Sequence, residues 1–472
     1  MAVFRLCAPP AQGQDARVLP RAQGSRLLIA WRVHPPGPRS SRRPPVKASR
    51  HGSLILGLLL PLLLLSGGCG RQPPGAASPP PVRQESRPVS APPRAGDPRA
   101  FNGSGLLPVY ELHLPPDALA RLEASPTSND TVSGSLSFQG QTHDGVAVRY
   151  RGAWARTWPK KALKIIFPKD HPFADRHVLN LNSAWRDPAF VREILAYHVY
   201  AACGVPAPRA QLVQVTVNGE FHGVFVEVEQ PDKPLLARFN LAGASLYKAN
   251  SRANRSDERD LGSVEAFAAE YEKQTRKGEG FEELQQFCHS LATTTNLPGF
   301  FVQEVDVERY VSYLAATALV QHWDSYNKNH YLARDLNGSH RWCVIPWDLD
   351  RTFGDHWDWT FRHADLPAEM GIHAIRGVTG WNRMQERFLS DPGFHRRYVE
   401  RIRELLETEF TPGKLFPLLD SLEASLAGAA EADRARWPGP AGNLHAGILG
   451  VKAYIENRRA FLQASLDPHS SH

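Results

Sequence analysis

From about residue 109 the chain alternates apolar and polar positions with a period of two, as a half-buried strand does. VYELHL (109–114) shows it first. Pro115-Pro116-Asp117 then opens a helical stretch, ALARLEA, with Asp117 placed to cap it. SGSLSFQG, GVAVRYRG and KKALKIIF (160–167) predict three more strands. In DPAFVREILAYHVYAACG (187–204) the period changes. Phe190, Ile194, Tyr197 and Ala201 share one helical face, and Gly204 can end the helix. QLVQVTVNGEFHGVFVEVEQ reads as a hairpin, because Asn218-Gly219 sits between two alternating runs.

Residues 250–280 are charged and poor in large apolar groups, which predicts a surface insertion. VERYVSYLAATALVQHW is helical again. YLARD and RWCVIPWD, joined by Leu336-Asn337-Gly338-Ser339, predict a second hairpin, and 384–466 is mostly amphipathic helix. The order predicts an α+β fold with a sheet-rich N-terminal part and a helical C-terminal part, built as one bilobed domain or two packed lobes.

The first 107 residues follow different rules. SLILGLLLPLLLL (53–65) is too short to span a bilayer and suits the apolar region of a signal peptide. Ser66-Gly67-Gly68-Cys69 resembles a bacterial lipoprotein box, with Ser66 where Leu is usual. Cys69 is then the lipidation site, and the alternative is plain cleavage near Gly68 with Cys69 an ordinary thiol. About fifty residues precede this segment, and a start at Val46 would give a normal signal sequence, which N-terminal sequencing of the precursor would check. Residues 1–68 form this leader, 69–107 a Pro/Gly/Ser-rich tether and 108–468 the folded domain.

Charge excludes one class of partner. The net charge is +7, but residues 1–68 hold ten Lys and Arg against Asp15 alone, so they carry +9 and the remainder −2. The folded part therefore lacks the electrostatic footprint of a nucleic-acid binder. Cys203, Cys288 and Cys343 are too few for a disulfide framework and their spacing does not suit zinc.

Two stretches concentrate polar groups among tryptophans and apolar runs, where burial is unfavourable unless something is bound. One is His322-Trp323-Asp324-Ser325-Tyr326-Asn327-Lys328-Asn329 and the other Trp347-Asp348-Leu349-Asp350-Arg351-Thr352-Phe353-Gly354. Carboxylates plus an amide oxygen suit a hard cation such as Mg²⁺. His-x-Asp-x₄-Asn is the protein-kinase catalytic-loop pattern, in which Asp orients the acceptor hydroxyl and Asn holds metal. In kinases a short strand pair and a metal-binding Asp follow. Here the Asn337-Gly338 hairpin follows and delivers Asp348 and Asp350.

Together with Arg151-Gly152, PKKALKIIF, VTVNGEFHGVFVEVE and IPWDLDRTFG, in that order, these motifs make the chain resemble the CotH (spore coat protein H) family of secreted atypical kinases over most of 109–460. The resemblance implies a highly divergent protein-kinase-like fold and an exported phosphotransferase that uses ATP with Mg²⁺ or Mn²⁺. There is no G-x-G-x-x-G loop and no literal D-F-G, as in that family. It implies roles residue by residue. Asp324 aligns or deprotonates the acceptor hydroxyl, or else caps a helix end. Asn329, Asp348 and Asp350 bind metal, with Asp350 alternatively an Arg351-paired structural acid.

Lys164, with Lys160 and Lys161 as rivals, pairs the phosphates. Glu193 pairs with Lys164 or is a plain surface acid. Arg151 and Arg156 face phosphates, and Glu227, Glu229 and Gln230-Pro231-Asp232 border the base. The expected acceptor is a Ser or Thr hydroxyl of an exported protein, and the expected location the cell envelope, through a lipid at Cys69. Two other classes fit fewer of these residues: a catalytically inactive surface or coat assembly protein, and a metal-dependent hydrolase.

Overall fold

Seven strands of the computed structural model, which describes residues 107–356, 364–368, 382–439 and 442–467, close into a barrel. They are β1 (Val109–His113), β2 (Val132–Phe138), β3 (Gln141–Tyr150), β4 (Leu163–Ile166), β5 (Val178–Asn182), β6 (Ala210–Val217) and β7 (Glu220–Val228). The order is β1-β2-β3-β4-β5-β7-β6, and closure comes from β1 pairing parallel to β6. The expected leader and tether, Cys69 with them, lie outside the described residues.

Alternation decides the two faces. Leu163, Ile165, Leu179, Leu181, Val213, Val215 and Phe225 fill the barrel, while Leu212, Val224, Val226 and Val228 point outward into the core shared with the helices. Asn218 and Gly219 both take left-handed φ, of 53° and 85°, as a two-residue type I′ hairpin turn requires. α1 (Pro116–Ala124) follows β1. Asp117 lies in its first turn without capping it and pairs instead with Arg121.

The helix expected over 187–204 is α2 (Arg192–Ala202), which starts later. The Asp187 carboxylate accepts from the Ala189 and Arg192 amides and pairs with the Arg192 side chain. A side chain that takes backbone N–H groups in this way offers the chain an alternative to helix.

Beyond the barrel come α3 (Lys233–Arg238), β8 (Ser245–Ala249), α4 (Val264–Glu270), β9 (Tyr271–Lys273), α5 (Glu282–Thr293), α6 (Leu297–Glu304), α7 (Val307–Val320), β10 (His330–Arg334) and β11 (Trp342–Pro346). β11-β10-β8-β9 form a second antiparallel sheet. Residues 250–280 are therefore not a surface insertion. Ser251, Ser256, Asp257, Glu258, Phe267, Glu270 and Tyr271 are buried, and β9 completes the sheet. The polar groups satisfy one another, so the low apolar content does not betray the burial.

The second hairpin forms, but its tip is not an Asn-Gly turn. The Asp335 carboxylate accepts from the amides of Asn337, Gly338 and Ser339, and the left-handed residue is His340. The helical part continues with α8 (Arg383–Leu389), α9 (Pro392–Thr408), α10 (Pro412–Leu426), α11 (Ala429–Arg436) and α12 (Leu444–Ser465). The fold is α+β as expected. Cys203, Cys288 and Cys343 are buried free thiols.

Candidate active site

Gln321 ends α7 in the left-handed conformation, with φ of 53°. The chain then makes one 3-10 turn over Trp323–Ser325 that presents Asp324. His322 is fully buried beneath it, and burial pushes its imidazole down to about 3, so it is neutral and does not shuttle protons at ordinary pH. Asp324 is half-buried. Its Oδ1 lies 3.2 Å from Lys328 Nζ, and its Oδ2 accepts from Asn329 Nδ2 at 2.9 Å. Burial raises the Asp324 carboxyl and Lys328 opposes the shift.

Asn329 is held by the second sheet. Its amide donates to the Ala249 carbonyl at 3.1 Å, and its carbonyl accepts from the Trp347 amide at 3.1 Å. That second bond brings the far end of β11, and hence Asp348, beside the loop. Asn329 and Asp348 both take left-handed φ, of 59° and 60°. Two non-glycine residues in that region at one place carry strain of the kind that collects at functional sites. The Asn329 Nδ2 also reaches the Asp324 carbonyl at 3.1 Å, so the amide nitrogen is committed. Among the described residues no hydrogen bond engages the side-chain oxygen.

Asp350 sits beside Asp348, and burial together with that neighbour pushes its carboxyl well above the usual range. Arg351 Nη1 donates to both carboxylate oxygens of Asp355, at 2.9 and 2.8 Å. Asp348, Asp350 and the side-chain oxygen of Asn329 offer oxygen donors and negative charge of the kind that suits Mg²⁺ or Mn²⁺. Among the described residues no three His, Cys, Asp or Glu side chains converge as a complete cage. A cation here would thus depend on the amide and on oxygens from outside the protein, as magnesium sites shared with phosphates do.

A basic cleft faces these acids. Lys164 lies on the outer face of β4, opposite Arg149 and Asn180 in register. Burial first, then the charges of Arg149, Arg151 and Lys248, lower its ammonium to about 8. Arg151 and Lys248 flank the Trp347 ring at 5.6 and 5.9 Å, and Asp348 acts on Lys248. Arg149 and Lys248 were not among the residues expected here. Their signal was alternation, which puts Arg149 on the face opposite Val148 and Tyr150.

Glu193 does not pair with Lys164 among the described residues. Its partner is Asn182 of β5, which donates to both carboxylate oxygens at 2.8 Å. Nor is Glu193 a surface acid: burial, with Asp348 adding to it, raises its carboxyl to about 7.

The remaining candidates lie apart. Lys160 is not a cleft residue but a buried strut, bonded to Asp433 of α11 and to the Val224 carbonyl. Lys161 donates to the Trp158 carbonyl at 3.1 Å. Arg156 turns away onto the Thr127 and Ser128 carbonyls and the Asn129 side chain. Glu229 pairs with Arg238 and accepts from the Arg209 amide, while Glu227 meets Tyr110, Gln211 and Arg176. Both acids line a cavity of about 320 Å³ together with Arg176, Arg209 and Arg238.

The family model described as CotH kinase protein matches residues 148–462. Inner spore coat protein H of Bacillus subtilis (strain 168) is 28% identical over 311 residues, which is 65% of this chain and 83% of that protein. Among solved structures, the Helicobacter pylori proinflammatory kinase CtkA aligns with 66% of this chain and 94% of its own, at 9% identity and a TM-score of 0.23. The Golgi casein kinase with Mn/ADP bound aligns with 78% of this chain and 75% of its own, at 9% identity and a TM-score of 0.28.

Proposed function

The chain belongs to the CotH kinase protein family and is kinase-like, and from that premise we propose that it is an exported phosphotransferase, using ATP with Mg²⁺ or Mn²⁺ to phosphorylate Ser or Thr hydroxyls of exported or surface proteins. The observation that carries this reading is the pairing of Asp324 with Asn329, set by the Asn329–Trp347 backbone bond beside Asp348. One short segment thus offers a base and an oxygen-donor site side by side.

Metal-bound nucleotide would supply the transferable phosphoryl group and neutralise its charge. Asn329, Asp348 and Asp350 would hold the cation. Lys164 and Arg151 would face the polyphosphate, and a polyanion would return Lys164 to its charged form against the desolvation that lowers it. Asp324 would orient the acceptor hydroxyl and take its proton at a carboxylate oxygen. Lys328 has to yield Oδ1 for that, while Asn329 keeps Oδ2 in place.

Export through the apolar segment at 53–65, with lipid on Cys69, belongs to the same proposal and rests on sequence pattern alone. Purified residues 70–472 with ATP labelled at the γ-phosphate, Mg²⁺ or Mn²⁺ and a lysate of exported proteins test the chemistry. Transfer by the wild type that disappears in Asp324→Ala and Asp348→Ala is the expected result. Nucleotide binding without transfer, under every acceptor and metal tried, would refute it in favour of the catalytically inactive assembly protein.

A further inference from the structure

Past the 3-10 turn that ends at Ser325, the stretch to Asn329 has no regular secondary structure, yet the carbonyls of residues 325–328 are all engaged by groups outside it. The His330 Nδ1 lies 3.1 Å from the Ser325 carbonyl and 3.0 Å from the Lys328 carbonyl. Both are acceptors only, so Nδ1 carries a hydrogen. The Tyr326 carbonyl accepts from Asn382 Nδ2 at 3.0 Å, and the Asn327 carbonyl accepts from the Ser256 amide at 3.2 Å. At the hub is Glu258. Its Oε1 lies 2.8 Å from His330 Nε2, and its Oε2 accepts from Asn382 Nδ2. Glu258 is buried, its φ is 57°, and its own amide donates to the Tyr271 hydroxyl at 3.0 Å.

The next residue is held differently. Asn329 is fixed by the sheet, through Ala249 and Trp347. Two supports therefore meet between Lys328 and Asn329. One holds the backbone from Ser325 to Lys328, and the other holds the oxygen-donor side and reaches back to Asp324 through the Asn329 side chain.

We propose that Glu258, acting through His330 and Asn382, is a positioning residue that fixes the Asp324 side of the loop for transfer without contributing to the hold on metal and nucleotide. The proposal rests on the kinase reading. Removing the Glu258 carboxylate leaves the His330 ring and the Asn382 amide without their shared anchor. Once the ring can turn, the Ser325 and Lys328 carbonyls lose their donor, and Asp324, one residue away, is left with its Asn329 bonds alone to place it. Asn329, Asp348 and Asp350 keep their placement.

The test compares Glu258→Ala, Glu258→Gln and Asn382→Ser in the domain used for the transfer assay. Glutamine keeps an acceptor for Asn382 and presents its amide to Nε2 of a ring protonated at Nδ1, so it preserves the clamp. Serine keeps an oxygen to cap α8 but drops the bonds to Glu258 and Tyr326. In Glu258→Ala, kcat is expected to fall about 10²-fold, as for a displaced catalytic group, with the Kd for Mn²⁺·ADP unchanged. Asn382→Ser should lose less in the same direction, and Glu258→Gln should keep wild-type kcat. Without ligand, trypsin should cut after Lys328 in Glu258→Ala and spare that bond in the wild type.

Loss of Mn²⁺·ADP affinity in step with kcat, a Glu258→Gln protein as damaged as Glu258→Ala, or a Lys328 bond that stays resistant would each overturn the clamp. Should Glu258→Ala fail to fold, Asn382→Ser decides by the same split. If the wild type transfers nothing, the kinase reading fails while the tryptic pattern still judges the clamp.

Discussion

Asp433→Ala should be the most damaging single change outside the cleft. Asp433 on α11 accepts from Lys160 Nζ and, at 2.7 Å, from the Val224 amide of β7, with both side chains of the ion pair fully out of solvent. The Phe190 and Phe225 rings flank the ammonium at 5.5 and 4.6 Å. Alanine removes the anion and leaves a buried cation and a buried N–H behind. Breaking a buried pair on one side loses about 3–5 kcal/mol, and the orphaned amide accounts for about 1–3 kcal/mol.

A ceiling exists, because Lys160 can shed its proton. At pH 7 the folded amine, lowered to about 8, sheds its proton for about 1.4 kcal/mol. With the orphaned amide added, the expected loss in urea unfolding at pH 7 is about 3 kcal/mol. Its pH dependence follows from the native amine, which burial lowers to about 8 although Asp433 opposes the shift. Above that pH the amine is neutral with or without Asp433, so the difference between variant and wild type narrows. The wild type itself gains stability from about 8 to 10.5, where the unfolded chain still binds the proton and the folded one does not. Lys160→Met combined with Asp433→Leu should recover most of the loss. A loss under about 1 kcal/mol at pH 7, or one that does not change with pH, would refute the reasoning.

Gly223, with φ of 148°, leaves room for the same pair: a Cβ there would lie 2.6 Å from Asp433 Oδ2 and 2.9 Å from Lys160 Cε. Gly223→Ala should lose about 1–3 kcal/mol, and an unchanged thermal midpoint would contradict the packing. Lys164, lowered to about 8, should take up a proton when Mg²⁺·ADP binds, so affinity falls by up to about tenfold per pH unit above 8. Calorimetry in buffers of different ionisation heat reads that uptake, and its persistence in Lys164→Met would assign it elsewhere. Arg156→Gln should lose about 1–3 kcal/mol of stability and leave Mg²⁺·ADP affinity intact, whereas weaker binding would make Arg156 a phosphate contact after all.

What the sequence made legible was whatever local chemistry controls. Alternation located the first four strands, and Asn218-Gly219 fixed the hairpin because few residue pairs accept two left-handed φ values in a row. The Asp324-to-Asp350 segment was readable because its donors lie within thirty residues and one hairpin joins them. Distant partners were not readable. Nothing local distinguishes Lys160 from Lys164, since one meets Asp433 and the other a cleft, and both partners come from remote segments. Glu193 looked like the mate of Lys164, but its partner is Asn182, on a strand the spacing did not single out. Residues 250–280 misled most, because burial by mutual satisfaction of charges leaves no hydrophobic pattern to find.

The closed barrel has one more consequence. A sheet with free borders invites another chain to add a strand, and that is how many β-rich proteins begin to aggregate. Here β1 completes the ring against β6, so the barrel has no border to offer. The second sheet ends on one side at β9, three residues long, and on the other at β11, where Asp306 already bonds the Trp342 carbonyl. Among the described residues, neither sheet presents a long exposed border. Such a domain can stand shoulder to shoulder with copies of itself without templating their misassembly.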